Sequence, residues 1–308
     1  MALDTATATS RTPGEETQPL TDREAEIAGL DALDIPFESA KGRFARVWEG
    51  LWPKLAALAL FFAGWQAIVW TGWKPEFALP GPVAALKALW HAFWDSTPNG
   101  SHVLVHATLN TMRRAAVGYA ISVGIGVAVG LAVARSRILR AAVGSMITGL
   151  QTMPTIAWLP LAVLLFQLSE TAITFVVVLG AAPAIANGVI SGVDHIPPVL
   201  LRAGRVLGAK GLAAYRFVVL PAAFPGLVAG LKQGWAFAWR SLMAGELIVI
   251  IAQKPSLGVG LSYARELADA PLLMAYMIAV FVIGIVIDSL LFANLERTIR
   301  RRWGLGRV

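Results

Sequence analysis

Lys232, Arg240 and Glu246 fall inside a stretch of sequence that is otherwise apolar. Ionised groups placed there are costly, so each is a candidate for function. At helical periodicity Lys232, Trp235, Trp239, Met243 and Glu246 share one face, and Gln233, Phe237, Arg240 and Ala244 a second. A tryptophan-rich face with cationic neighbours can line a path for a small anion. The same residues also fit a structural reading, with Arg240 and Glu246 near an outer interface and paired with loops. Both readings stand at this level. Other chemistry is narrowed sharply. The chain has no cysteine, which excludes disulfides, thiolate metal sites, Fe–S clusters and cysteine nucleophiles. His102 and His106 could ligate a metal or haem, but no second pair accompanies them, and an ordinary helix face is the better reading. No G-x4-G-K-[ST] phosphate loop occurs.

A second constellation lies between Asp194 and Pro221. A simple connector would be short and polar. This one alternates apolar and basic residues at helical spacing. Leu200, Ala203, Leu207 and Tyr215 can form apolar faces, with Arg202, Arg205 and Lys210 at the surface. The spacing predicts two short helices joined near Gly208. Such a pair suits docking to a soluble partner, or an amphipathic helix resting on lipid headgroups.

The elements that must position these residues are membrane spans. The chain has 308 residues, 56% apolar and 15% charged, with mean hydropathy +0.64. A soluble domain would carry about 25% charged residues. Apolar runs of spanning length, about 20 residues, occur at 55–73, 115–134, 141–169, 171–193, 221–245 and 270–287. The third is too long for one straight helix, and Pro154 and Pro160 predict a bend or break. Gly118, Ser122, Gly126 and Gly130 form a small-residue ladder that predicts close helix approach. Glu170 is expected to help cap the following helix through Thr171 and the dipole.

Charge then fixes an expected topology. Residues 1–40 hold nine acids and two bases and read as a disordered acidic tail, with a transmembrane domain over 41–308 and its core over about 100–300. With both termini cytoplasmic, 18 of the 26 lysines and arginines fall on the cytoplasmic side. Trp48, Trp52, Trp70, Trp73, Trp90, Trp94 and Trp303 lie at expected membrane boundaries. The net charge of +7 is thereby explained by the bilayer, and nucleic-acid binding is not expected.

The loop also carries a resemblance. Arg202-Ala203-Gly204, three residues, Gly208, nine residues and Val218-x-Leu220-Pro221 resemble the E-A-A-x3-G-x9-I-x-L-P loop of permeases from binding-protein-dependent ABC importers. Every spacing matches; Arg202 replaces the glutamate and Gly204 an alanine. Leu79–Pro82, Met153–Leu161, Val193-Asp194, Ala244–Leu247, Leu257–Gly260, Asp288 and Glu296 with Arg302-Trp303 resemble motifs of the nitrate/sulfonate/taurine branch. The resemblance implies an all-α polytopic bundle of about six transmembrane helices, one N-terminal helix plus a five-helix MetI-like core, in a bacterial inner membrane. It implies a transport subunit rather than an enzyme. ATP and Mg would be bound by a separate ATP-binding-cassette ATPase dimer. An extracytoplasmic solute-binding protein and a second permease copy, by default a homodimer, are the other implied partners. Arg202, Ala203, Gly204, Gly208, Ala209, Tyr215, Leu220 and Pro221 would form the ATPase-coupling loop. Lys232, Gln233, Trp235, Trp239, Arg240 and Glu246 are the candidates for the path. The competing class is a secondary transporter driven by an ion gradient, but no internal repeat supports it.

Overall fold

The computed structural model describes residues 43–94, 103–251 and 254–302. The acidic segment 1–40 and His102 lie outside them. Contacts group residues 1–63 and 64–308 as two compact units. Every regular element among the described residues is helical. They are α1 (Arg43–Trp70), α2 (Pro82–Trp94), α3 (Val103–Arg135), α4 (Arg137–Thr152), α5 (Leu159–Phe166), α6 (Glu170–Asp194), α7 (Pro198–Val206), α8 (Gly211–Ala214), α9 (Leu220–Ile248), α10 (Leu257–Glu266), α11 (Ala270–Ile287) and α12 (Ala293–Arg302). Five stretches are long and apolar enough to cross a membrane: 51–70, 103–135, 170–194, 215–248 and 270–299. The third expected span is a bent pair, Arg137–Thr152 and Thr155–Phe166, at 103°. Pro154 sits at the break, whereas Pro160 lies in the first turn of α5, where a missing N–H costs nothing.

Helix α6 is the centre of the second unit. Of its span, 61% is buried, against 28% or less for the other spans. It packs between α3 and α9, and both seams are made of small residues. On the α3 side, a Cβ at Gly126 would lie 2.7 Å from the Ala182 carbonyl, and one at Gly130 2.7 Å from the Val189 Cβ. The ladder expected from Gly118, Ser122, Gly126 and Gly130 is thus a close-approach seam. On the α9 side, Gly188 opposes Gly230 and Gly192 opposes Gly226, so backbones meet directly. In lipid, helix association rests on this kind of packing rather than on apolar burial.

Helix starts follow local side chains. Ser136, Ser169, Ser256 and Asp269 cap α4, α6, α10 and α11 by accepting backbone N–H bonds. The α6 cap is therefore Ser169, and not Glu170 acting through Thr171. Glu170 is drawn elsewhere by two cations.

Candidate functional site

At one end of the bundle, α7 leads into Gly208 at φ +82°. The Ala209 N–H donates to the Gly204 carbonyl at 2.9 Å, and the Gly208 N–H to the Arg205 carbonyl at 3.1 Å. This pair of bonds is a Schellman cap, which requires a left-handed residue after the helix. A Cβ at Gly208 would meet nothing within 4 Å. Conformation, not space, therefore demands glycine. Gly204 is the opposite case: a Cβ there would lie 2.7 Å from the Val218 Cγ2. Val218 and Gly204 thus lock the two arms of the loop together. Arg202 and Ala203 are exposed, and the apolar tip of Val206 and Leu207 is 87% and 86% exposed.

The second arm does not end before the fifth span. Helix α8 runs through a π turn, Tyr215–Val219, straight into α9. Pro221, the first residue of the 221–245 apolar run, therefore lies inside the helical stretch and does not start it. A proline inside a continuous helix lacks a donor and crowds the carbonyl four residues back. The wider π turn, with Leu220 N–H bonded to the Tyr215 carbonyl, precedes Pro221 where that crowding would fall. Tyr215 is held by the Arg135 guanidinium, 5.3 Å from its ring centroid. Nearby, Arg140 pairs with Asp194 at 2.7 Å. The loop is thus continuous with α9 and touches the end of α3 through Arg135.

Within α9 the candidate path residues separate into groups. Lys232 and Gln233 line a cavity of about 600 Å³ between α9 and the last helix. The Lys232 ammonium is 3.8 Å from both Asp288 and Glu296. Trp235 is buried, edge-on to Tyr119 at 5.3 Å and stacked with Trp239 at 6.2 Å. The Tyr119 hydroxyl donates to the Leu231 carbonyl at 2.8 Å. Arg240 is exposed, with its guanidinium 4.8 Å over the Phe237 ring.

Glu246 departs from a path-lining role, because its side chain has no exposed surface. Its carboxylate accepts from the Arg114 guanidinium at 2.9 Å, the Thr111 hydroxyl at 2.9 Å and the Gly258 N–H at 3.1 Å. Arg114 also reaches Glu170 at 3.2 Å, and Lys254 reaches Glu170 at 2.9 Å. Thr111 accepts from the Leu257 N–H, and Asn110 donates to the Pro255 carbonyl. The cluster pins the start of α10 onto α3, α6 and α9. Glu246 is thus a fully enclosed carboxylate paired across three other segments.

Thr111, Arg114, Asp288 and Glu296 were not among the sequence candidates. Arg114 had a readable signal: it precedes an uncharged run by one residue, so a helix extended N-terminally buries it. Asp288 and Glu296 had only their likeness to a family motif, which does not tell what they pair with. Eight residues apart, they point about 80° apart on an α-helix. A π turn at Asp288–Phe292 inserts a residue and brings both toward Lys232.

Comparison with known proteins follows from this geometry. Residues 122–301 match the family model described as binding-protein-dependent transport system inner membrane component. The riboflavin transport system permease protein of Chloroflexus aurantiacus is 30% identical over 82% of this chain and 91% of that protein. The taurine transport system permease protein of Escherichia coli is 27% identical over 76% of this chain and 84% of that protein. A chain of the MetNI methionine ABC transporter, solved in inward-facing conformations, is 22% identical, with TM-score 0.56 over 66% of this chain and 99% of that one. That last likeness concerns the fold. A glycine-capped loop continuous with a span, on a MetI-like bundle matched by the family model over more than half its length, makes the chain a member of the family of inner membrane components of binding-protein-dependent transport systems.

Proposed function

We propose that the loop 196–220 is where this permease receives the motion of its ATPase. The observation that carries the reading is the unbroken helical run from Gly211 through the π turn to Ile248. A push on the exposed Val206–Leu207 tip passes through the Gly204–Val218 contact into a transmembrane helix as rigid-body movement. In this reading the α7 end is cytoplasmic, as are both termini, because most of the basic residues gather there. An ATP-binding-cassette dimer docks there, binding ATP and Mg in its own chains. A solute-binding protein docks at the α10 end, and two copies of this chain enclose the path. Family membership displaces the ion-gradient transporter.

The solute we propose is small and carries an anionic group: an alkanesulfonate, taurine or nitrate. The taurine relative supports this. Lys232 does not, since Asp288 and Glu296 face it. Arg240 is the α9 cation for which no carboxylate lies within 4 Å among the described residues, and it takes over the role of anion contact.

The test is the purified permease with its ATPase and binding protein in proteoliposomes. Solute-stimulated ATP hydrolysis is measured across taurine, alkanesulfonates, nitrate and riboflavin. Stimulation by one solute carrying an anionic group is expected, and stimulation by riboflavin alone overturns the solute class. Gly208→Leu strains a left-handed residue by about 1–2 kcal/mol. It should insert normally yet lose the coupling between hydrolysis and uptake. Native uptake in that variant removes the docking role.

A further inference from the structure

The contact between α9 and the run from α11 to α12 has two unlike halves. Toward the α10 end it is tight: a Cβ at Gly284 would sit 3.2 Å from the Trp239 Nε1. Toward the α7 end the walls part around the cavity of about 600 Å³. There Lys232 stands 3.8 Å from Asp288 and Glu296. These distances exceed those of a hydrogen bond. The three side chains are 41–47% exposed, so the pairs are solvated. Solvated pairs of this kind shift an equilibrium by about fivefold or less. That is too weak to hold the fold and well suited to being broken and remade.

The backbone is interrupted at the same level. The π turn Asp288–Phe292 separates α11 from α12, and Pro225 lines the opposite wall of the cavity. Single π turns inside helices occur at functional sites and mark places where a helix changes direction. Phe292, within the turn, lies 6.4 Å from the Trp235 ring and 6.5 Å from Tyr119. These aromatics give the turn a fixed fulcrum.

We propose that Lys232 and Asp288, with Glu296, are positioning residues for transport: an exchangeable latch that holds α12 against α9 at rest and opens about the π turn during the cycle. This rests on the importer reading for its role and on the geometry for its existence. The register explains why the turn is there. Without the inserted residue the two carboxylates diverge by about 80° and cannot share one ammonium.

The experiment uses the absence of cysteine. Exposed Ala229 lines the cavity, and exposed Thr298 precedes Ile299 on its other wall; Ala229→Cys with Thr298→Cys carry the spin labels. Distances are read in the full transporter in nanodiscs, and in the permease before the ATPase is added. Lys232→Met and Asp288→Asn should each move population to longer distances and raise solute-independent ATP hydrolysis about two- to fivefold. The exchanged pair, Lys232→Asp with Asp288→Lys, should restore both readouts. A merely structural role would lower thermal stability without lengthening the distance. Unchanged distances in Lys232→Met, or an exchanged pair that behaves like the single variants, overturn the latch. Failure of the ATPase to associate overturns the importer reading instead, and leaves the distances readable.

Discussion

Glu246 is enclosed on every side, and its carboxylate is spoken for by a guanidinium, a hydroxyl and a backbone N–H. Charges taken out of water in this way repay their desolvation only when the partners are complete. Removing one partner strands the other. Arg114→Met should therefore cost about 3–5 kcal/mol, read as a large drop in the unfolding midpoint of the detergent-purified chain. Arg114→Met combined with Glu246→Met removes both charges, and should recover much of that loss. If the double variant is no more stable than the single, the pair does not account for the burial. Gly208 shows the same separation of causes at another residue: nothing near it forbids a side chain, and only its φ does.

At the scale of elements, the α3–α6 seam shows how far position outweighs residue type. Gly124 and Gly126 sit two residues apart on α3. A Cβ at Gly124 meets nothing within 4 Å, and one at Gly126 would lie 2.7 Å from the Ala182 carbonyl. Gly124→Ala should leave stability unchanged or raise it by up to about 1 kcal/mol, since glycine is poor inside a helix. Gly126→Ala forces the helices apart and should destabilise by about 1–3 kcal/mol. Thermal unfolding of the two variants side by side checks this, and equal midpoints would show that the seam is not tight. The π turn before Pro221 is the other lesson at this scale. A proline that looks like a helix start lies inside a helix, because the preceding turn has widened around it.

For the whole molecule, the proposed orientation rests on charge. In the proposed topology 18 of the 26 lysines and arginines fall on the side that bears α7. Val206 is 87% exposed there, and Phe77, 74% exposed, lies in the turn after α1. With no native cysteine, single Val206→Cys and Phe77→Cys variants report sidedness directly. Val206→Cys should react with a membrane-impermeant maleimide only after cells are opened, and Phe77→Cys in spheroplasts that remain intact. The reverse pattern would invert the topology and with it the docking end.

Spans, small-residue seam and glycine-capped loop were legible in the sequence because each is a local pattern. Lipid demands long apolar runs, close helices demand spaced small residues, and a Schellman cap demands a glycine at one fixed offset. Even the bend of the third span was legible, since a proline announces it wherever the rest of the chain goes. What the sequence left open depended on where distant residues meet. Glu246 looked equally like a path residue or a structural one until Arg114, Thr111 and Gly258 arrived from three other segments. Lys232 looked like a lone cation until a π turn rotated Asp288 and Glu296 toward it. Helical periodicity assumes one constant twist, so a single widened turn shifts every later residue to another face. The sequence by itself determined membrane bundle and family loop. Only the tertiary structure decided which charges are paired, because pairing is a property of approach between helices and not of spacing within one.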